Sequence, residues 1–190
     1  MIALLIKINL LIGRSCQSSR TIGLLMPKPN LDVLDLKILK TLQVEGRLSN
    51  VELADRVGLS PSPCLRRVKR LEAEGVIEGY AARINRAKVG VGVTVFVAVG
   101  LDRHREEEAE RFRKVVLRLQ QVISCHAISG ESDFLLEIVV ADLNEYSEFV
   151  LKRLRKIPGV KDLHSSFALE AMKTGTALPL PGDNTEPCRP

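Results

Sequence analysis

Apolar residues recur at helical spacing along the first half of this chain and alternate with other residues along the second. Leu31, Leu34, Ile38, Leu39 and Leu42 fall on one face of a helix that Gly46 brings to a stop. Val51, Leu53, Ala54 and Val57 give a second, shorter stripe. Ser49 caps it, and Glu52, three residues on, completes a capping box. Gly58 ends this helix, because glycine accepts the left-handed backbone needed there, and Leu59 is the apolar residue of the turn. A third helix follows, with Ser60 or Ser62 as its cap. Pro61 and Pro63 sit in its first turn, where amide donors lack partners anyway. Leu65, Val68 and Leu71 point inward, which sends Arg66, Arg67, Lys69 and Arg70 outward. The second and third helices, with the glycine turn between them, form a helix-turn-helix, and the first helix packs behind them.

Beyond Gly75 the pattern changes. Val76, Ile77, Tyr80 and Ile84 around Gly79 predict a small hairpin, or wing. Its Arg83, Arg86 and Lys88 are each open to phosphate contact or to plain solvation, and Gly90 and Gly92 mark a hinge. The spacing then predicts strand 93–101 and helix 106–119, with Phe112, Val115, Val116 and Leu119 inward. Strand 122–129, a turn over 130–133, and strand 134–141 come next. A helix over 144–156, capped by Asn144, and strand 160–171 complete the series. The order βαββαβ predicts a ferredoxin-like sandwich, so the fold class is α+β: a winged helix-turn-helix followed by a ferredoxin-like domain. One sheet face lies under the two helices. The other carries Val, Phe and Ile side chains and needs covering, which a second copy of the chain would supply.

Charge separates the halves in the same way. Residues 1–90 carry 15 Lys and Arg against 8 Asp and Glu, whereas residues 91–190 carry 13 against 15. A basic first half fits a nucleic-acid module joined to something else. Cys16, Cys64, Cys125 and Cys188 are widely spaced, which argues against a disulfide framework or a zinc site and fits a reducing cytosol. Neighbours Cys125 and His126 point to opposite sides of a strand and cannot share a metal, and His104 and His164 have no spaced partner. No metal or catalytic residue is assigned: paired carboxylates, a nucleophile with its base and a phosphate loop are all missing, which argues against an enzyme. Residues 1–13 are apolar but interrupted by Lys7 and Asn9 and too short to span a bilayer, so no membrane role is expected. Residues 1–30 are expected to be an extension or a mis-set start, with Met26 as the alternative start. The expected boundaries are 31–80 for the DNA-binding domain, 81–92 for the hairpin and hinge, 93–173 for the second domain and 174–190 for a tail loose beyond Leu180.

Three sets of residues carry a family resemblance. The first is Leu31-Asp32-x-x-Asp35-x-x-Ile38-Leu39 with Arg47-Leu48-Ser49-Asn50-x-Glu52-Leu53-Ala54. The second runs from Val57-Gly58-Leu59-Ser60 through Pro63-Cys64, Arg67-Val68, Leu71-Glu72, Gly75 and Ile77. The third is Cys125-His126-x-x-Ser129-Gly130-x-x-Asp133-Phe134 with Pro158-Gly159-Val160. From Leu31 to about Leu180 the chain resembles the bacterial Lrp/AsnC (feast/famine) transcription regulators. Ser165-Ser166-Phe167-Ala168-Leu169-Glu170 and the run Thr176 to Leu180 resemble the subgroup controlling amino-acid catabolism, including branched-chain keto-acid and proline dehydrogenase genes.

The resemblance implies a cytoplasmic, nucleoid-associated bacterial regulator that binds promoter DNA and answers to a small amino acid: leucine, another branched-chain amino acid or proline. It implies a homodimer formed through the sheet faces that assembles further to an octamer, and no other cofactor. The expected DNA contacts are Ser49, Asn50, Ser60, Pro61, Ser62, Pro63, Arg66, Arg67, Lys69 and Arg70. Those implied for the effector are Ser129, Gly130, Glu131, Ser132 and Asp133, with Ser166, Phe167 and Ala168. The residues themselves leave Gly130 and Asp133 open to either role, turn-former or ligand contact. A nucleoid-structuring protein that ignores effectors is the alternative, since one helix-turn-helix serves both uses.

Overall fold

In the computed structural model, residues 30–102, 106–175 and 177–181 are described. The expectations for residues 1–29, His104 and 182–190 lie outside them. The described residues divide into two compact units, one comprising residues 30–79 with 177–181, the other lying within 80–175.

The first unit is built on α1 (Val33–Val44), α2 (Asn50–Val57) and α3 (Pro61–Ala73). Each begins where a side chain or a proline meets the needs of a helix start. Asp32 caps α1 and forms a capping box with Asp35, and Ser49 does the same for α2 with Glu52. Such boxes satisfy amides that have no partner inside the helix. At α3 neither serine is needed: Ser60 occupies the cap position without a side-chain bond, and Pro61 opens the helix. Gly58 adopts φ +75°, the left-handed geometry expected after α2.

The core is small: Ile38, Leu39, Leu53, Ala54, Val57, Cys64 and Leu71 are buried, with Leu31, Leu42, Leu48, Leu59 and Val68 packed around them. Three residues expected on the inward faces are not in it: Leu34, Val51 and Leu65. Val51 is 64% exposed and Leu65 41%, while Cys64 is fully buried. The inward stripe of α3 therefore runs Cys64–Val68–Leu71, with Cys64 in the place expected for Leu65.

The wing segment also departs from expectation: no strand forms between Val76 and Val89. Val76 and Ile77 donate their amides back to the Leu71 carbonyl and pack on the three-helix core. Residues so used cannot open a hairpin ladder. The chain continues without regular structure to a short 3₁₀ turn, Ala87–Val89.

Of the expected tail, residues 177–181 belong to the first unit and residues 174 and 175 to the second. The Gln43 side-chain amide on α1 pairs with the Leu178 backbone, donating to its carbonyl (3.3 Å) and accepting from its N–H (2.5 Å). Leu180 packs against the three-helix core.

The second unit is the expected βαββαβ. Its elements are β1 (Val93–Leu101), α4 (Glu106–Val116), β2 (Val122–Ala127), β3 (Phe134–Val140), α5 (Leu143–Lys152) and β4 (Val160–Phe167). The sheet is antiparallel in the order β2-β3-β1-β4. Several elements are shorter than predicted, because β2, β3 and β4 stop where their pairing stops. The cap of α5 is Asp142, whose carboxylate accepts from the Glu145 amide, not Asn144. Both are good capping residues, and the pairing of β3 decides which one stands at the start.

Val95, Val97, Val99 and Leu101 alternate with the less buried residues of β1 and meet Leu136, Ile138 and Val140 under the helices. Phe112 stacks on Phe134 with ring centroids 4.7 Å apart. The open face is more polar than expected. Two ranks cross it, His126–Leu135–Ala98–His164 and Ser124–Glu137–Phe96–Ser166. Phe96, 41% exposed, is its largest apolar group.

Candidate nucleic-acid interface and effector site

The cations of α3 fall into two pairs, each spaced i, i+3, and the structure treats the pairs differently. Arg66 and Lys69 lie on the exposed side, away from Cys64, Val68 and Leu71, and Ser62 and Pro61 lie exposed at the start of the same helix. Arg67 and Arg70 flank the core stripe and face the N-terminal turn of α1. Arg67 Nη1 donates to Asp32 Oδ2 (2.6 Å) and Asp35 Oδ1 (2.8 Å), and Arg70 Nη2 donates to Asp35 Oδ2 (2.5 Å). Asp35 is the one buried charged residue among those described, with no exposed surface. Its carboxylate also accepts from the Asp32 amide (3.1 Å).

This network holds its charges firmly in place. The Asp35 amide, followed by the Arg67 guanidinium, keeps the Asp32 carboxyl below the usual carboxylate range. Hydrogen bonds to Asp32 and then Asp35 push Arg67 further up. A second link, Arg56 to Glu45 (2.5 Å), ties α2 to the end of α1 and lowers the Glu45 carboxyl.

The remaining expected DNA contacts have local tasks. Ser49 caps α2. The Asn50 side-chain amide donates to the Pro61 carbonyl (2.8 Å), stapling the start of α2 to the start of α3, and its Oδ1 is buried without a partner. Ser60 and Ser62 are exposed and Pro63 half-buried. Arg83 and Arg86, expected on the wing, point into the second unit: Arg83 donates to the Thr174 carbonyl (3.3 Å), and Arg86 to Thr94 Oγ1 and Glu137 Oε1 (3.1 Å each).

In the second unit the turn 129–133 joins β2 to β3. The Ile128 amide donates to the Asp133 carbonyl and closes the turn (3.0 Å), and Gly130 sits at φ +136°, where a side chain would be strained. Ser129, Gly130 and Glu131 are exposed, and Ser132 and Asp133 half-buried. Asp133 has a structural task that its sequence position does not reveal. Its Oδ2 accepts from the Leu101 amide (2.8 Å), where β1 has run past its last pair with β3 and its pairing with β4 is interrupted.

The second group of expected effector residues stands elsewhere. Ser166 pairs with Phe96, Phe167 with Val95, and the Ala168 amide donates to the Thr94 carbonyl. Asp133, by contrast, is anchored at Val99 and Leu101. Within one protomer the two groups are separated by three to seven residues along β1, about 10–24 Å at the rise of a strand. They also lie on opposite flanks of β1. Phe167 turns toward the helix side, its ring edge-on to Tyr146 (5.1 Å), whose hydroxyl bonds to Ser165. Burial, partly offset by that bond, pushes the Tyr146 hydroxyl up.

No helix among the described residues is long and apolar enough to cross a membrane, and no cluster there could hold a metal ion. Residues 31–78 match the model of a winged helix-turn-helix DNA-binding domain, and residues 94–178 that of the Lrp/AsnC ligand-binding domain. The chain is 41% identical over 152 residues to the leucine-responsive regulatory protein of Klebsiella pneumoniae, covering 80% of this chain and 93% of that one. A Neisseria meningitidis transcriptional regulator solved as its complex with L-Met is 46% identical with a TM-score of 0.77, over 80% of this chain and 97% of that one. An AsnC-family regulator from Agrobacterium tumefaciens is 40% identical with a TM-score of 0.75, over 78% and 97%.

Proposed function

Because this chain belongs to the Lrp/AsnC family of DNA-binding transcription regulators, we propose that it is a local regulator of amino-acid metabolism whose promoter binding is set by a small apolar amino acid. It is a regulator with an amino-acid ligand-binding domain and not an enzyme. The observation carrying the reading is the presence, in one chain, of an exposed cationic edge on the second helix of a helix-turn-helix and a matched ligand-binding domain. Arg66 and Lys69, with Ser60, Ser62 and the start of α3, make the phosphate and base-edge contacts. Two copies joined through the open sheet face around Phe96 and Leu135 present two such helices about 34–36 Å apart, or at a multiple of that spacing. Further assembly toward an octamer in the bacterial cytoplasm adds avidity.

The effector candidates are leucine, isoleucine, valine and proline, to which the L-Met bound by the Neisseria relative adds methionine. The turn 129–133 supplies backbone amides for a carboxylate and Asp133 a partner for an ammonium group. Because Ser166–Ala168 stand apart from that turn within one protomer, they complete the site from a neighbouring copy.

The test is a mobility-shift titration on the DNA upstream of this gene and its divergent neighbour, with random DNA as competitor and each amino acid added singly. Specific binding altered by one of them is the expected result. Equal affinity for random DNA would overturn the reading in favour of an architectural protein. For the pocket, Asp133→Asn is a cleaner probe than Asp133→Ala, since it keeps an acceptor for the Leu101 amide. It is expected to bind DNA normally and lose the amino-acid response.

A further inference from the structure

Four cations on one recognition helix suggest four DNA contacts, but the two i, i+3 pairs have different surroundings. Arg67 and Arg70 meet Asp32 and Asp35, which are themselves spaced i, i+3 on α1, so that two complementary pairs interlock where the helices meet. Resting on the reading of α3 as the DNA-reading helix, we infer that Arg67 and Arg70 are positioning residues, and that Arg66 and Lys69 alone among these cations touch DNA. Asp35 is the keystone.

Both Asp35 oxygens are occupied, one by each arginine, and no surface of the residue reaches water. If Arg67 swung out to a phosphate, it would abandon two carboxylates and leave Asp35, fully buried, with one cation fewer. The phosphate–guanidinium pair formed in exchange would lie in water, where salt screens it. Arg67 is also the less exposed of the two, its side chain 25% accessible against 42% for Arg70. A planar guanidinium suits this place, since the two N–H groups of one Nη1 are held at a fixed angle and bridge the carboxylates of residues 32 and 35. A lysine carries its charge on a compact ammonium that lacks this fixed geometry.

Positioning and contact predict different salt dependence. A phosphate contact releases counterions, so removing it lowers the slope of log K against log salt by about 0.9. A residue that only holds the helix leaves the slope unchanged and instead weakens discrimination between operator and random DNA. The experiment titrates the full-length protein and its Arg66→Ala, Lys69→Ala, Arg67→Ala, Arg67→Lys and Arg70→Ala variants with operator and random duplexes at several salt concentrations. Circular dichroism would confirm that each variant is folded.

We expect Arg66→Ala and Lys69→Ala each to lower the slope. Arg67→Ala and Arg70→Ala should keep the slope and lose about tenfold in operator preference. Arg67→Lys, which is the gentler substitution should Arg67→Ala fail to fold, is expected to behave like Arg67→Ala. The double variant Asp35→Ala/Arg67→Ala should bind operator no worse than either single variant. A lowered slope in Arg67→Ala or Arg70→Ala, or wild-type discrimination in Arg67→Lys, overturns the inference. A slope unchanged in Arg66→Ala and Lys69→Ala overturns instead the assignment of α3 as the reading helix.

Discussion

Asp35 lies fully buried between two arginines in the DNA-binding unit, whereas the ligand-binding unit buries fourteen apolar and aromatic side chains and, among the described residues, no whole charged side chain, only one carboxylate oxygen of Glu108. The DNA-binding unit has half as many buried core side chains and compensates with ties of another kind: two capping boxes, the Arg56–Glu45 link and the Asp32–Asp35–Arg67–Arg70 network. The difference follows from what each unit must display. Three short helices holding one of their number outward cannot enclose much apolar volume, so orientation is set by directed, charged bonds. A four-stranded sheet under two helices encloses enough to be held by packing alone.

Mutation of each anchor is expected to loosen one unit and spare the other. Phe112→Ala removes a fully buried ring packed on Phe134. It is expected to cost about 3–5 kcal/mol, seen as a lowered denaturation midpoint of the ligand-binding unit with the helix signals of the other unit little changed. Asp35→Ala is the counterpart, expected to cost about 3 kcal/mol, at the low end for a broken buried pair because both arginines retain access to water. Hydrogen exchange should locate that loss in α1 and α3. Equal destabilisation of both units by either change would show that the two cores are not separate.

A smaller effect sharpens the contrast through pH. Asp32, Glu45 and Glu52 all have carboxyls held below their ordinary values: by the Asp35 amide and then Arg67, by Arg56, and by the Ser49 hydroxyl and amide. Depressed values mean that these ties are complete above the unfolded-state pKa, about 4, and are lost as pH falls through the folded values. In the ligand-binding unit, burial raises Cys125 and Tyr146. Raised values mean stability that is intact below the unfolded values, about 8.5 and 10, and lost as pH rises past them. Acid is therefore expected to loosen the DNA-binding unit first and alkali the other, although buried Cys64 gives the former an alkaline liability of its own. Amide NMR spectra recorded from pH 3 to 10 would show that order, or its reverse.

Much of this was legible in the chain because it is local. The capping box at Ser49 and Glu52, the left-handed Gly58 and the alternation along β1 each depend on residues a few positions apart. What depends on distant neighbours was not. Four arginines and lysines in five residues look alike in sequence; only the packing of α3 against a helix some 32 residues earlier separates Arg67 from Arg66. The same packing leaves Leu65 and Val51 outside the core. The strand register, which no single stretch encodes, places Ser166 and Asp133 at different points along β1. Asp133 looks like a ligand group or a turn residue in sequence, and its bond to the Leu101 amide needs the neighbouring strand to be seen.

The pairing of Gln43 with Leu178 has a consequence in time. A ribosome adds about 5–20 residues per second, and the two partners are 135 residues apart, so α1 emerges roughly 7 to 27 s before its partner is made. Through that interval the three helices exist without their last piece, with the core edge later covered by Leu180 still bare. The unit whose helices are translated first is thus among the last parts to be finished.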